Sequence, residues 1–326
     1  MSRKSAARSL RIQALQQDPD RLAKVNQNCR ASCVLLFLIP IFSLFLHYAF
    51  MVQSDDDAKS FDLQAFGSGE MFDIIAENYD VTNRVLALRM DLSWRRALVS
   101  RIKQRVAISG SRILDVATGT ADVALLLAEA MPKAQIIGVD PSVKMLQVGV
   151  SKINSYFKRY SPRIELEYGD VRELQSKSNR FDGATMSFGI RNVPQGDRQK
   201  ALCEIHRVLK PDSVFAILEF GEPDKQAGVL GFLCSVFIKH IVPFLGGILT
   251  GHLRAYRYLQ QSIDNFPSPS EFVTLLEGLR CDVRGAANDT EINKNVVGYF
   301  KVDELVNLNF GSVQLYTMTA LLRSIE

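Results

Sequence analysis

The chain is poor in the residues that build metal sites and covalent nucleophiles. Its five cysteines, at 29, 33, 203, 234 and 281, include no Cys-x-x-Cys pair, and their odd number and wide spread argue against a disulfide framework or a zinc site. A reducing catalytic compartment is the simpler reading. The four histidines, at 47, 206, 240 and 252, show no ligand spacing, and no Ser/His/Asp or Cys/His arrangement can be assembled from them. His206 reads as packing or capping on its helix, while His252 is a further candidate for chemistry. No internal repeat or low-complexity tract is present, which excludes solenoids and arrays. Positive charge is missing where a nucleic-acid face would need it. Of a net +4, residues 1–30 hold seven Lys or Arg against two Asp, which is +5 and leaves the rest of the chain at about −1. What remains is an ordinary globular composition, 47% apolar and 23% charged over 326 residues, enough for one large domain with extensions.

The one long apolar run lies near the N-terminus. Residues 33–52, CVLLFLIPIFSLFLHYAFMV, carry no Asp, Glu, Lys or Arg, and twenty such residues are about the length that crosses roughly 30 Å of hydrocarbon. A transmembrane or signal-anchor helix is expected here, following a basic segment at 1–32. Arg and Lys before the run and Asp55, Asp56 and Asp57 after it would leave the short N-terminus on the cytoplasmic or equivalent side. A cleaved targeting leader competes with this reading, because the first thirty residues are rich in Arg, Ser and Ala, although Asp18 and Asp20 weaken a mitochondrial presequence. A buried core helix is a third reading, which Pro40 opposes.

Residues 53–70 read as a linker, and the domain is expected to run from Met71 to the C-terminus at 326. Apolar residues at helical spacing between Met71 and Ser100, with the only tryptophan, Trp94, predict helical cover ahead of a sheet. Strands and helices then alternate. Strands are expected at 112–116, 136–139, 164–168, 183–187 and 214–220, with helices from about Ala121, from about Lys144 and ending at Lys210 before Pro211. This alternation predicts a doubly wound, Rossmann-like α/β domain with a mainly parallel sheet.

The turn after the first strand, Asp115-Val-Ala-Thr-Gly-Thr-Ala-Asp122, is built from small residues that allow a ligand close to the backbone, ahead of a helix N-terminus with unpaired amides. Gly119 is its only glycine, so a plain tight turn is the alternative. Asp140 ends the second strand 25 residues beyond Asp115, where a carboxylate can accept from both ribose hydroxyls, though it could equally cap a helix beside Ser142. Asp170 follows the third strand at the same sheet edge and could take an adenine amino group. The segment from Thr185 to Pro211 places Ser187, Arg191 and Asn192 beyond a fourth strand end, where open α/β sheets bind ligands.

Six segments carry a resemblance: FDIIAENYD at 72–80, ILDVATGTAD at 113–122, MSFGIRNV at 186–193, HRVLKP at 206–211, ILEF at 217–220 and YRYLQQSI at 256–263. Through them the chain resembles the ubiquinone/menaquinone biosynthesis C-methyltransferase family, class I enzymes that use S-adenosylmethionine, over roughly 71–287 and again at 307–320. The resemblance implies donor contacts at Thr120, Asp140, Asp170, Val171 and Ser187, with Asp115 and Gly119 in the turn. It departs from the family at Ala121, where many members have glycine. It departs again at 288–306, an atypical polar insertion where the family passes almost directly to its last strand.

The implied reaction is methylation of a ring carbon on a polyprenylated benzoquinol or naphthoquinol. A ring carbon becomes nucleophilic when a neighbouring hydroxyl loses its proton, so a guanidinium beside that oxygen would help. Arg191 is the candidate for that role, with Asn192 orienting the ring or a water and Tyr79 and Tyr256 contacting it, and no metal is required. A salt bridge that fixes the loop is the plainer reading of Arg191. The apolar residues 227–251 read as a lid or groove for a polyprenyl tail, or as core cover. Expected partners are a polyprenyl quinol, a membrane, with the mitochondrial inner membrane ahead of a plastid or other organelle membrane, a quinone-biosynthesis complex and a second copy as a homodimer, but no nucleic acid. Two other readings stay open: a methyltransferase of another small lipid or phenol, and a non-catalytic membrane-tethered subunit of a quinone-synthesis complex.

Overall fold

A computed structural model of the chain describes residues 69–107, 110–221, 228–282 and 296–324. The expected N-terminal segment, the apolar run at 33–52, the linker up to residue 68 and positions 288–295 lie outside the described residues. Among the described residues no helix is long and apolar enough to cross a membrane.

The fold is an α/β layer structure around one eight-stranded mixed sheet in the order β3-β2-β1-β4-β5-β8-β7-β6. Its parallel half comprises β1 (Arg112–Val116), β2 (Gln135–Asp140), β3 (Ile164–Tyr168), β4 (Phe181–Ser187) and β5 (Leu209–Phe220). The helices between them are α4 (Asp122–Ala130), α5 (Val143–Tyr156) and α6 (Arg198–Val208). Strands β1 and β4 are buried almost throughout, as expected of parallel strands covered on both faces.

Three antiparallel strands complete the sheet, so it is mixed rather than mainly parallel. Strand β8 (Val313–Ser324) pairs with β5, β7 (Val296–Leu308) pairs with β8 over its whole length, and the two-residue β6 (Cys281–Asp282) closes the edge. Residues 296–306, read from the sequence as part of an insertion, are therefore a strand of the sheet. Lys301, Asp303 and Glu304 break up its hydrophobic pattern, but Asp303 and Glu304 pair with Arg105 and Arg101 of the neighbouring helix.

The helix expected to run to Lys210 ends at Val208. Strand β5 starts at once, and the register shift opposite Phe181 and Gly183 absorbs residues 210–213, with Asp212 left-handed at φ 63°. Pro211 sits in this bulge, where its missing N–H costs no ladder hydrogen bond.

Helical cover precedes the sheet as α1 (Glu70–Ile75), α2 (Tyr79–Leu86) and α3 (Met90–Arg105), the last two separated by left-handed Leu88 and Arg89. Among the described residues four more α-helices follow β5: α7 (Gly228–Val236), α8 (Val242–Thr250), α9 (Leu253–Asp264) and α10 (Pro269–Gly278). A π-helical turn at Phe237–Ile241 joins α7 to α8.

Cys203 on α6 and Cys281 on β6 form a disulfide, which corrects the expectation from spacing alone. They are 78 residues apart in sequence, and the sheet brings β6 under α6. His206 packs as expected: its ring is buried edge-on to Phe300, and Nε2 lies 3.0 Å from the Leu321 carbonyl.

Candidate active site

The C-terminal ends of β1, β2 and β4 converge on a narrow cleft of about 90 Å³. After β1 the chain turns sharply, with Ala117, Gly119 and Ala121 all left-handed at φ 53°, 55° and 66°. Only glycine adopts that conformation without steric cost. Gly189 lets the loop after β4 lie against this turn, since a Cβ there would stand 2.7 Å from the Ala117 Cβ.

Asp115 does not face the cleft. Its Oδ2 accepts from the Thr118 hydroxyl at 2.7 Å and its Oδ1 from the Thr185 hydroxyl at 2.6 Å, so it fastens the end of β1 to the turn and to β4. Burial pushes its carboxyl up to about 6. Thr120 also turns away: its hydroxyl donates to Asp80 at 2.6 Å and accepts from Lys152 at 3.1 Å. Both residues therefore support the turn from behind.

The other donor-site candidates are brought together. Gly119, Asp140, Asp170, Val171 and Ser187 line the cleft, and so do two residues expected on the acceptor side, Asn192 and Tyr79. Asp140 accepts from the Gly119 and Ser142 amides, each at 2.8 Å, one on each oxygen, which leaves a second lone pair on both for a vicinal diol. Burial pushes it up to about 6 against the pull of those amides. The helix cap is Ser142, whose Oγ accepts from the Met145 amide, so Asp140 keeps that spare capacity. For Asp170 burial pulls the carboxyl up, but hydrogen bonds from Arg172, at 2.6–3.0 Å, outweigh it and hold the group below its usual range. Ser187 Oγ and Asn192 Oδ1 are buried with no partner. Two orphaned polar atoms on one cleft wall mark a place where a ligand completes the bonding.

The ubiE/COQ5 methyltransferase family matches residues 60–281 of this sequence, well over half of it. The chain belongs to the ubiE/COQ5 methyltransferase family. It is 36% identical over 214 residues to demethylmenaquinone methyltransferase of Thermus thermophilus, covering 66% of this chain and 92% of that protein. It is 39% identical over 211 residues to the ubiquinone/menaquinone biosynthesis C-methyltransferase UbiE of Geotalea uraniireducens, covering 64% and 86%. The fold is similar to that of Haemonchus contortus phosphoethanolamine N-methyltransferase 1, with a TM-score of 0.52 over 78% of this chain and 49% of that one at 12% identity. The chain is thus an S-adenosylmethionine-dependent methyltransferase. The cleft fits that donor: Asp140 offers acceptors for two ribose hydroxyls, and Ser187 and Asn192 offer unpaired oxygens.

In this member of the ubiE/COQ5 family a second cavity, of about 440 Å³, adjoins the first and shares Phe72, Tyr79 and Phe188 with it. Arg191 and Tyr256 line only this larger space, so Ser187 lies on the donor side and Arg191 on the other. Arg191 is both a loop tie and a cavity residue. Its Nη1 donates to Glu219 Oε1 at 2.8 Å and to the Phe188 carbonyl at 2.6 Å, while its Nε is buried without a partner. Burial raises the Tyr79 phenol, with Arg95 and Arg191 pulling the other way. Burial likewise pushes Tyr256 up to about 12.

Several residues of this family member were not singled out in the sequence as site residues. Asp91, Trp94 and Arg95 of α3 line the larger cavity. So do Phe188 and Phe220, which stack with centroids 4.3 Å apart and Trp94 edge-on to both. Glu219 stood inside the ILEF segment, and that motif is the signal that could have found it. Of the apolar residues 227–251, Phe237, Ile238 and Val242 line the cavity, whereas exposed His252 lines neither space.

Proposed function

We propose that this enzyme methylates a ring carbon of a quinol that carries a long apolar tail. The observation that carries the proposal is the junction of two spaces: a donor cleft lined by the Asp140 and Asp170 carboxylates opens at Phe72, Tyr79 and Phe188 into a larger, mostly apolar cavity whose wall holds a buried guanidinium. S-adenosylmethionine supplies an electrophilic methyl group when bound. The chain's own residues prepare the acceptor. Arg191, fixed by Glu219, favours the ionised form of a hydroxyl beside it, because a charge-assisted hydrogen bond in a dry site is worth far more than in water. The stacked Phe188 and Phe220 offer a flat apolar surface, and Trp94 closes its edge. Phe237, Ile238 and Val242 extend the cavity with apolar side chains suited to a tail. The names of the relatives, which concern quinones, support this acceptor class.

A donor-binding titration followed by turnover on benzoquinol and naphthoquinol substrates of increasing tail length tests the proposal. Turnover should appear with quinols, and affinity should rise with tail length. Tight donor binding with no quinol turnover would overturn the reaction, and indifference to tail length would overturn the tail site. A lipid-tailed acceptor also gives a reason for the apolar run at 33–52 to hold the domain at a membrane.

A further inference from the structure

Two acid–guanidinium clusters, Glu219 with Arg191 and Asp91 with Arg84 and Arg95, reach the wall of the larger cavity, and they differ in what they leave free. Glu219 is fully buried and lines neither space: its Oε1 accepts from Arg191 Nη1 and the Phe220 amide, each at 2.8 Å, and its Oε2 accepts from the Arg191 amide at 3.2 Å. That pair offers only donors, among them the unpartnered Arg191 Nε. Asp91, 3% exposed, places Arg84 and Arg95 on the same oxygen, Oδ2, and its Oδ1 is buried with no partner. This pair keeps an unused acceptor. The two pairs share surroundings: Arg95 lies 5.4 Å from the Phe188 ring centre and Arg191 5.5 Å from that of Phe220, the two rings are stacked, and both cations act on Tyr79.

We propose that Asp91, through Oδ1, accepts a hydrogen bond from a second hydroxyl of the acceptor ring and so selects the dihydroxy form over the quinone. The inference rests on the quinol reading above. A phenolate or carbonyl oxygen only accepts hydrogen bonds and suits the donor-only Arg191–Glu219 end, whereas a neutral hydroxyl also donates and suits the Asp91 end. A quinone would bring a carbonyl lone pair against Oδ1 and leave that carboxylate oxygen unpaired, which sites built for a hydroxyl reject strongly. Asp91 acts here as a specificity residue, with no proton transferred to it.

The test uses the full-length enzyme under anaerobic conditions and reads binding through Trp94, the only tryptophan, which lines the cavity. A benzoquinol and the matching quinone with the same tail are the probes. Wild type should bind the quinol at least about tenfold more tightly. In Asp91→Asn the amide oxygen must face the two guanidiniums, so the amide N–H₂ replaces Oδ1 and now donates. The preference should then shrink at least about tenfold or reverse towards the quinone. Unchanged donor affinity in the variant shows that it is folded. Equal wild-type affinities, no binding of either probe, or an unchanged preference in Asp91→Asn would overturn the proposal. Turnover is read separately: absence of methylated product condemns the quinol reaction, while the two affinities still decide the role of Asp91.

Discussion

Replacing Asp140 with Asn separates what this carboxylate costs the fold from what it gives the donor. In the folded chain burial holds Asp140 at about 6, against about 3.9 for an unfolded Asp. A raised carboxyl contributes stability at low pH that is lost as the pH climbs from about 4 through about 6. The penalty above that window is roughly 3 kcal/mol. Asn removes it at neutral pH, but its amide nitrogen must then face either the Gly119 or the Ser142 N–H, both now 2.8 Å from a carboxylate oxygen, at a cost of about 1–3 kcal/mol. The two effects nearly cancel, so the melting temperature should barely move. Donor binding has no such compensation. Two ribose hydroxyls bonded to a charged acceptor contribute about 1.5–3 kcal/mol each, and losing even one such bond weakens binding at least about tenfold. Calorimetric titration with S-adenosylmethionine from pH 5 to 8 should show wild-type affinity flat above about 6 and falling as the pH drops below it, while Asp140→Asn stays weak and pH-independent. A variant binding within threefold of wild type, or a flat wild-type profile, would refute the reasoning.

Glu219→Ala should leave Arg191 buried without a counter-charge and cost about 3–5 kcal/mol in denaturant unfolding, whereas Arg191→Ala should lose turnover while keeping donor affinity; equal loss of both would make Arg191 structural. Ala117→Gly relieves a left-handed alanine at φ 53°, so thermal unfolding should show a gain of roughly 0.5–1 kcal/mol. Ala121→Gly should be near neutral, because it also removes a fully buried methyl group. Cys203→Ser opens a 78-residue loop, and urea unfolding should show a loss of about 2–4 kcal/mol that reducing agent reproduces in wild type.

The parallel half of the sheet and its cleft were legible because local pattern encodes them. Buried strands read as apolar runs, and Asp140, Asp170 and Ser187 follow strand ends that the alternation places on one edge. Thr120 and Asp115 were placed in the turn, but side-chain direction is set by partners distant in sequence, Asp80, Lys152 and Thr185, that no local pattern reveals. Asp91 and Arg95 sit in what reads as an ordinary helix of cover. They become cavity residues only when α3 packs beside Phe188 and Phe220. Strand β7 was hidden because its acidic residues, which answer Arg101 and Arg105, disrupt the two-residue alternation. The Cys203–Cys281 pair depends on β6 reaching the sheet edge below α6, a tertiary fact that spacing cannot carry.

The most direct measurement follows the methyl group itself. The enzyme is incubated with S-adenosylmethionine labelled with ¹³C in its methyl group and a prenylated benzoquinol kept reduced, and the product is read by carbon NMR. The account predicts label in an aryl methyl on the ring carbon, lost in Arg191→Ala. Label on oxygen as a methyl ether, or no labelled quinol under conditions where the donor binds, would contradict it.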